Sequence, residues 1–376
     1  MTMRKTPWLA ALALGALALM AARHVDTDER GLRLGAAPVQ SLGALTFGPD
    51  GTLFGADTRA GLLYAFDPAE SGEATGFGDR TMVPDLDRKI ASLLGTTRDR
   101  IRFGDMAVHP KSHAIYLSVS RIDGADAAPA LVRVSGSDRV ELVDFGKIKF
   151  ASTELPAAPA KDAKTPWGQP QWSMAVTQLR YSDGELWVAG LSNEQFASAL
   201  RRVPFPFGKG GSVNTVEIYH TSHDRWETAS PIEAFLPITI GGVPMVIAGY
   251  GCSPIAVFER SKLEGSRHLK GRTVAELGGG NRPIDIVGYE KDGKRWLLIA
   301  NSNRTMMRMD PEKVAKAPGL TTPVSEAYEP SGVGYLAIAS SGVLQIADFD
   351  SALVAVLQRD LQSGAVQVFG FKKAWL

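Results

Sequence analysis

The stretch "LGALTFGPDGTLFGADTRAGLLYAFD", residues 42–67, decides the fold. Leu45, Thr46 and Phe47 have the aromatic and branched character of a strand, and so do Leu53 and Phe54. Between them Pro49, Asp50 and Gly51 form a tight-turn signal that folds the two runs into a hairpin. A polar loop at 57–59 then leads to a third apolar run at 62–66. The same order returns at 105–121 with a further strand at 130–134, at 177–205, at 232–259, at 284–310 and at 343–371. Six such units at intervals of roughly 50 to 70 residues make a repeat architecture. One small antiparallel sheet cannot bury both of its faces. Six sheets set radially cover one another, so the expectation is an all-β, six-bladed β-propeller over residues 26–376. A jelly roll or sandwich fits less well, because the turn chemistry recurs at the same place in each unit.

The connections add detail. "GLRLG" (31–35) is expected to add a strand to the last blade and close the ring. "DLDRKIASLLGTTRDR" (85–100) reads as one short amphipathic helix, capped by Asp85 and stopped at Gly95. "LPAAPAKDAKTPWGQPQW" (155–172) is too polar and too rich in proline for a strand. It is expected to be an exposed excursion, either a partner-binding arm or an inert insertion.

Residues 1–25 stand outside the fold. Arg4 and Lys5 precede "WLAALALGALALMAA" (8–22), an uncharged apolar run ended by Arg23. The run is short of the ~20 residues of a transmembrane helix and suits a secretory signal peptide. The large Met20 near the cleavage position leaves an uncleaved membrane anchor as the alternative. The expected location is the periplasm or the cell exterior, with membrane contact only through this segment. The 376 residues carry a net charge of +1 with acids and bases mixed, so no basic stripe for nucleic acid exists. Cys252 is the only cysteine, which rules out an intramolecular disulfide.

The repeated strand, Asp-Gly turn, strand and polar loop resemble the secreted propellers of the SMP-30, NHL-repeat and strictosidine-synthase-like group, and "RTVAELGGGNRPIDIVGY" (272–289) and "AGYGCSPIAVF" (248–258) resemble segments of bacterial exported propellers. The resemblance covers about residues 40–371. It implies a propeller fold. In the lactonase and esterase members it further implies a divalent cation, usually calcium, held in the central channel by acidic and amide side chains of the inner strands.

Aligning the units on their turns places Asp105, Glu233 and Asp285 at one inner-strand position, with Ala44 in the first unit, Thr177 or Gln178 in the third and Gln345 in the last. Three converging carboxylates repel one another and need a cation or basic partners. Hard oxygen donors suit calcium. The spacing Arg-x-x-Asp in "RFGD" (102–105) and "RPID" (282–285) offers Arg102 and Arg282 as neutralising partners instead. Three readings stay open: structural ion pairs, a calcium site, and a ligand pocket using both charges. No asparagine falls on an inner strand, which departs from the pattern of the group.

A second candidate lies in "YHTSHDRWETASP" (219–231), expected to connect two blades. His220 and His223, with Glu227 nearby and Cys252 in the next blade, could hold zinc or copper, since imidazole suits both. The alternative is a histidine bonded to the loop backbone and a cysteine packed as a small apolar residue. His109 and His113 read as turn residues, and Met307 and Met309 as one core-facing side of a strand. No haem attachment motif, phosphate loop or Gly-x-Ser-x-Gly elbow is present. The sequence therefore points to an exported propeller that binds a partner protein or small ligand. A calcium-dependent lactonase-like hydrolase and an accessory protein of a periplasmic redox enzyme are the alternatives.

Overall fold

The computed structural model describes residues 27–376 except 71, 75–80, 209, 325 and 327, so the expected signal or anchor at 8–22 lies outside the described residues. Within them, no helix is long and apolar enough to cross a membrane.

The opening hairpin forms as its residues require. Leu45–Phe47 pairs antiparallel with Leu53–Asp57. The Asp50 carboxylate accepts from the Thr52 N–H at 3.0 Å and from its hydroxyl at 2.8 Å. Gly51 sits at φ +96°, where a Cβ would lie 2.6 Å from His109 Nε2, so only glycine closes this turn. The described residues build six such sheets of four to six strands, one for each repeat unit. Six apolar cores lie between neighbouring sheets, which makes an all-β six-bladed propeller.

Chain order and ring order differ. The second blade packs Leu117 and Val132 on Leu357 and Val368 of the sixth. Its other face packs Tyr116 and Leu131 on Tyr64 and Phe66 of the first. The first blade then meets the third through Phe54 and Val188. The ring thus runs second, first, third, fourth, fifth, sixth. After Leu62–Asp67 the chain leaves the first blade unfinished and lays Thr81–Val83 along the outer edge of the sixth, Val83 opposite Val368. Helix α1 (Leu86–Leu93) crosses into the second blade. After that blade the chain returns as Ile148–Glu154 to complete the first, Phe150 opposite Phe66. Glu70 locks the crossover, accepting from Tyr116 Oη at 2.5 Å and Arg133 Nε at 2.8 Å, both in the second blade.

The segment 31–35 therefore does not close the ring. Arg33–Gly35 pairs with Ile148–Glu154 at the edge of the first blade. The reason is tertiary: Leu32 is buried in the core between the first and third blades. Arg30 meanwhile bridges Asp28 at 2.9 Å and Asp67 at 2.5 Å. Thr81–Val83 closes the ring instead. Helix α1 is where the sequence places it, but Asp85 takes a left-handed conformation (φ 49°) and its side chain caps nothing. A second, shorter helix, α2 (Pro311–Lys316), is capped by Asp310, which accepts from the Glu312 N–H at 3.0 Å. Met307 and Met309 face one core and Met306 the next, as strand alternation requires.

The excursion at 155–172 is anchored from beneath. Arg201 is fully buried and no carboxylate pairs with it. Its guanidinium donates to the Pro156 and Leu191 carbonyls at 2.6 Å, to Ala175 at 3.2 Å and to Ala157 at 3.4 Å. Burial pushes Arg201 down to about 10, so it stays charged at neutral pH. Arg201→Met would strand these four carbonyls. It should lower stability by about 1–3 kcal/mol, the range for leaving buried polar groups without a partner. Urea denaturation checks this, and protease cleavage within 155–172 should speed up with it.

Candidate functional site

The central channel is lined by one matching residue from each inner strand. In the fourth blade Ile232 faces Tyr250 and Ala234 faces Gly249, so Glu233 is the extra residue of a β-bulge. In the fifth, Pro283 faces Asn301 and Asp285 faces Ala300, which makes Ile284 the extra residue. The sixth blade carries the same irregularity before Gln345. The channel positions are therefore Ala44, Asp105, Gln178, Ala234, Asp285 and Gln345. Turn-based alignment is one residue out in the fourth blade alone. A slip of one residue sends a strand side chain to the opposite side. Glu233 accordingly does not join Asp105 and Asp285.

The two channel acids are already engaged. Asp105 accepts from the N–H groups of Leu45 and Met106, both at 2.8 Å. Asp285 accepts from Gln178 Nε2 at 2.7 Å, from the Ile286 N–H at 2.8 Å and from Arg180 Nη2. Gln178 in turn accepts from the Phe235 N–H at 2.5 Å, which ties the third, fourth and fifth blades together at the axis. Arg102 donates to the Asp99 carbonyl at 2.9 Å and does not pair with Asp105. Arg282 is largely exposed and pairs with Glu233 at 3.3 Å. The basic partner in the channel is Arg180. Its signal was alternation: it lies two residues from Gln178 on one strand, hence on the same face. Beyond Arg180 and Asp285 the channel widens into a funnel of about 720 Å³.

A second cavity of about 640 Å³ opens between the third and fourth blades, on the face where the inner strands begin. Its walls include Trp167 of the excursion, Met174 and Trp226, and its polar residues include His220, Glu233 and Cys252. A hairpin builds the polar side. Ser212–His220 turns through left-handed Asp224 and returns as Arg225–Glu227, His220 opposite Arg225. Diagonal neighbours on one face of such a pair lie close. His220 Nδ1 lies 2.9 Å from one Glu227 oxygen, and His223 Nδ1 2.7 Å from the other. The loop expected here thus contains a short strand that the polarity of "TSHDRWETA" hid.

Behind His220 stands Glu276, fully buried, its Oε2 3.9 Å from His220 Nε2. Glu276 accepts from Thr221 Oγ1 at 2.8 Å. Ser253 Oγ, 3.4 Å from Glu276, also donates to the Gly278 carbonyl at 2.7 Å. Burial pushes Glu276 above the usual carboxylate range. Burial also pushes Glu227 up, but the His220, His223 and Arg225 donors more than offset it and hold Glu227 at about 2. Burial raises Glu233 against the opposing charge of Arg282. Cys252, half-buried, lines the cavity without joining the His220, His223 and Glu227 group. Glu276 escaped sequence reasoning because it ends an apolar run, "TVAEL"; an acid at the tip of a buried strand was the available signal.

No known family profile and no curated protein matches the chain. Among solved structures, the dihydro-heme d1 dehydrogenase NirN in complex with DHE aligns over 91% of this chain and 63% of its own, with 13% identity and a TM-score of 0.33. Raptor from Chaetomium thermophilum aligns over 90% of this chain and 30% of its own, with 12% identity and a TM-score of 0.33. The chain spans less than two thirds of either length. Similarity at this level carries nothing about function. The class of the protein, a six-bladed propeller, rests on its own six sheets, and the SMP-30, NHL-repeat and strictosidine-synthase-like resemblance is left at architecture.

The channel generates a pH prediction. Burial and the neighbouring Asp285 carboxylate push Asp105 up to about 7. The unfolded value is about 3.9, so the folded state keeps a proton that the unfolded state releases. Stability from this residue is therefore present at low pH and lost as pH rises from about 4 to about 7. Asp105→Asn cannot ionise. Its stability relative to wild type should rise across that window, by at most about 1.4 kcal/mol per pH unit, and level off above it. Urea unfolding of both proteins across the window reads the difference directly.

Proposed function

We propose that this chain is an exported propeller that binds a small ligand with a flat apolar portion in the cleft between the third and fourth blades. The cleft carries the reading. Trp167 and Trp226 are 54% and 44% exposed, unusual for tryptophan, and both lie on the walls of one cavity. A concave site with apolar walls and a few convergent polar groups is the usual form of a small-molecule pocket. Export is supported by Arg4 and Lys5 ahead of the apolar run 8–22.

The channel is the weaker place for a ligand or for calcium. Its carboxylate oxygens already accept from backbone N–H groups, Gln178 and Arg180, and a cation there would displace them. Without Glu233 the channel also lacks the third acid that the calcium reading needs. We therefore read binding rather than lactonase-like hydrolysis.

Two measurements test this. Fractionation of the native host should recover the protein outside the cytoplasm, and a purely cytoplasmic protein would refute export. Aromatic amines such as tryptamine, whose ammonium suits the Glu233 carboxylate on the cleft wall, should raise the melting temperature in a concentration-dependent way, as mass action requires. Trp226→Ala should remove the shift. Absence of any shift in the wild type, or an equal shift in the variant, would rule out the cleft as the ligand site.

A further inference from the structure

We infer that the third-blade hairpin is a transition-metal site, in which His220, His223 and Glu227 hold a late first-row divalent cation such as zinc and Glu276 orients His220 from behind. One ring nitrogen of His220, one of His223 and a Glu227 oxygen lie within 4.8 Å of one another, and the two Nδ1 atoms lie 2.9 and 2.7 Å from the two Glu227 oxygens. Zinc bonds of about 2.0–2.1 Å place tetrahedral donors ~3.3 Å apart, so only small rotations of these side chains are required. Two imidazoles and one carboxylate suit zinc, copper or nickel and do not suit calcium, which takes six or more oxygens.

The second observation is a buried nitrogen without a partner. His220 is 1% exposed, and its Nε2 makes no hydrogen bond. With Nδ1 protonated to serve Glu227, Nε2 is a buried lone pair 3.9 Å from the Glu276 carboxyl. With both nitrogens protonated, Nε2–H lacks a donor-length acceptor. Either state leaves a polar atom unsatisfied in the interior, which is unfavourable. A cation on Nδ1 removes the conflict. The proton then resides on Nε2 and points at Glu276, the arrangement in which an outer carboxylate fixes the tautomer and raises the basicity of a metal-bound imidazole. Thr221 holds Glu276 ready for that role. Three protein donors leave a tetrahedral ion one further position, beside the cleft that Glu233 and Cys252 line.

The inference is independent of any organic ligand in the cleft, and its test reads the ion alone. Protein carrying no polyhistidine tag is stripped with a chelator and titrated with zinc chloride by calorimetry near neutral pH. Wild type should bind one zinc per chain, undisturbed by excess calcium. His223→Ala, at a residue exposed enough to leave the fold intact, should bind at least about 100-fold more weakly. Glu276→Gln keeps the shape but not the charge, and should weaken binding by about 10- to 100-fold. Circular dichroism of each variant confirms folding. Failure of wild type to bind zinc stoichiometrically, unchanged affinity in His223→Ala, or equal competition by calcium would overturn the site. Wild-type affinity in Glu276→Gln would overturn the positioning role of Glu276.

Discussion

Each sheet has two apolar faces, and the only cover for a face is the neighbouring sheet. That constraint governs the whole ring: six interblade cores must all exist at once, because one missing core would expose two faces together. Closure is thus a structural necessity. It is met where Thr81–Val83 completes the sixth blade, with Val83 buried in the core shared by the sixth and second blades. Because that strand comes from between the first two units, the chain must lay the second blade next to the sixth and return to finish the first. The Glu70, Tyr116 and Arg133 cluster fastens the point where the two blades exchange position. Closing strands from distant parts of the chain also bind the two ends of the ring into one cooperative unit.

The architecture was legible for physical reasons. Turn residues such as Pro49, Asp50 and Gly51 act locally, and apolar alternation reports the faces of a strand directly, as the two-sided placement of Met306 and Met307 shows. Ring order was not legible, since nothing in the local character of 31–35 or 81–83 says which of two edges each will join. What decided it lay far away: Asp67 for Arg30, and the core of the sixth blade for Val83.

The candidate sites were legible in part, and the errors share one origin. Residues of the right chemistry were found, while their facing depended on bulges. Asp105, Gln178 and Asp285 do line the axis. Glu233 is the extra residue of a bulge and turns instead to the cleft, where it meets Arg282. Arg102 and Arg282 stand three residues before an acid, yet strand geometry with a bulge between does not bring them to it. His220, His223 and Glu227 came together because a hairpin, which depends on pairing and not on exact register from a distant blade, unites them.

The same bulge separates the two sites physically. One residue earlier or later in the fourth blade would put a third carboxylate into a channel where Asp105 and Asp285 already repel each other and the guanidinium of Arg180 is paired with Asp285. Alanine at 234 keeps the axis electrostatically tolerable, and the displaced Glu233 becomes available on the opposite side. The cleft has its own strain. Cys252 and Ser253 both adopt left-handed backbone, φ 58° and 76°, without being glycine. Such conformations cost on the order of 1–3 kcal/mol each and persist only where the surroundings enforce them. Here the enforced turn delivers Ser253 to Glu276 and Gly278, and sets Cys252 on the cleft wall. Strain, a buried unpaired imidazole nitrogen and a buried carboxyl are thus concentrated within a few residues of one cavity. The packed cores between the blades supply the stability that lets this corner depart from what packing alone would select.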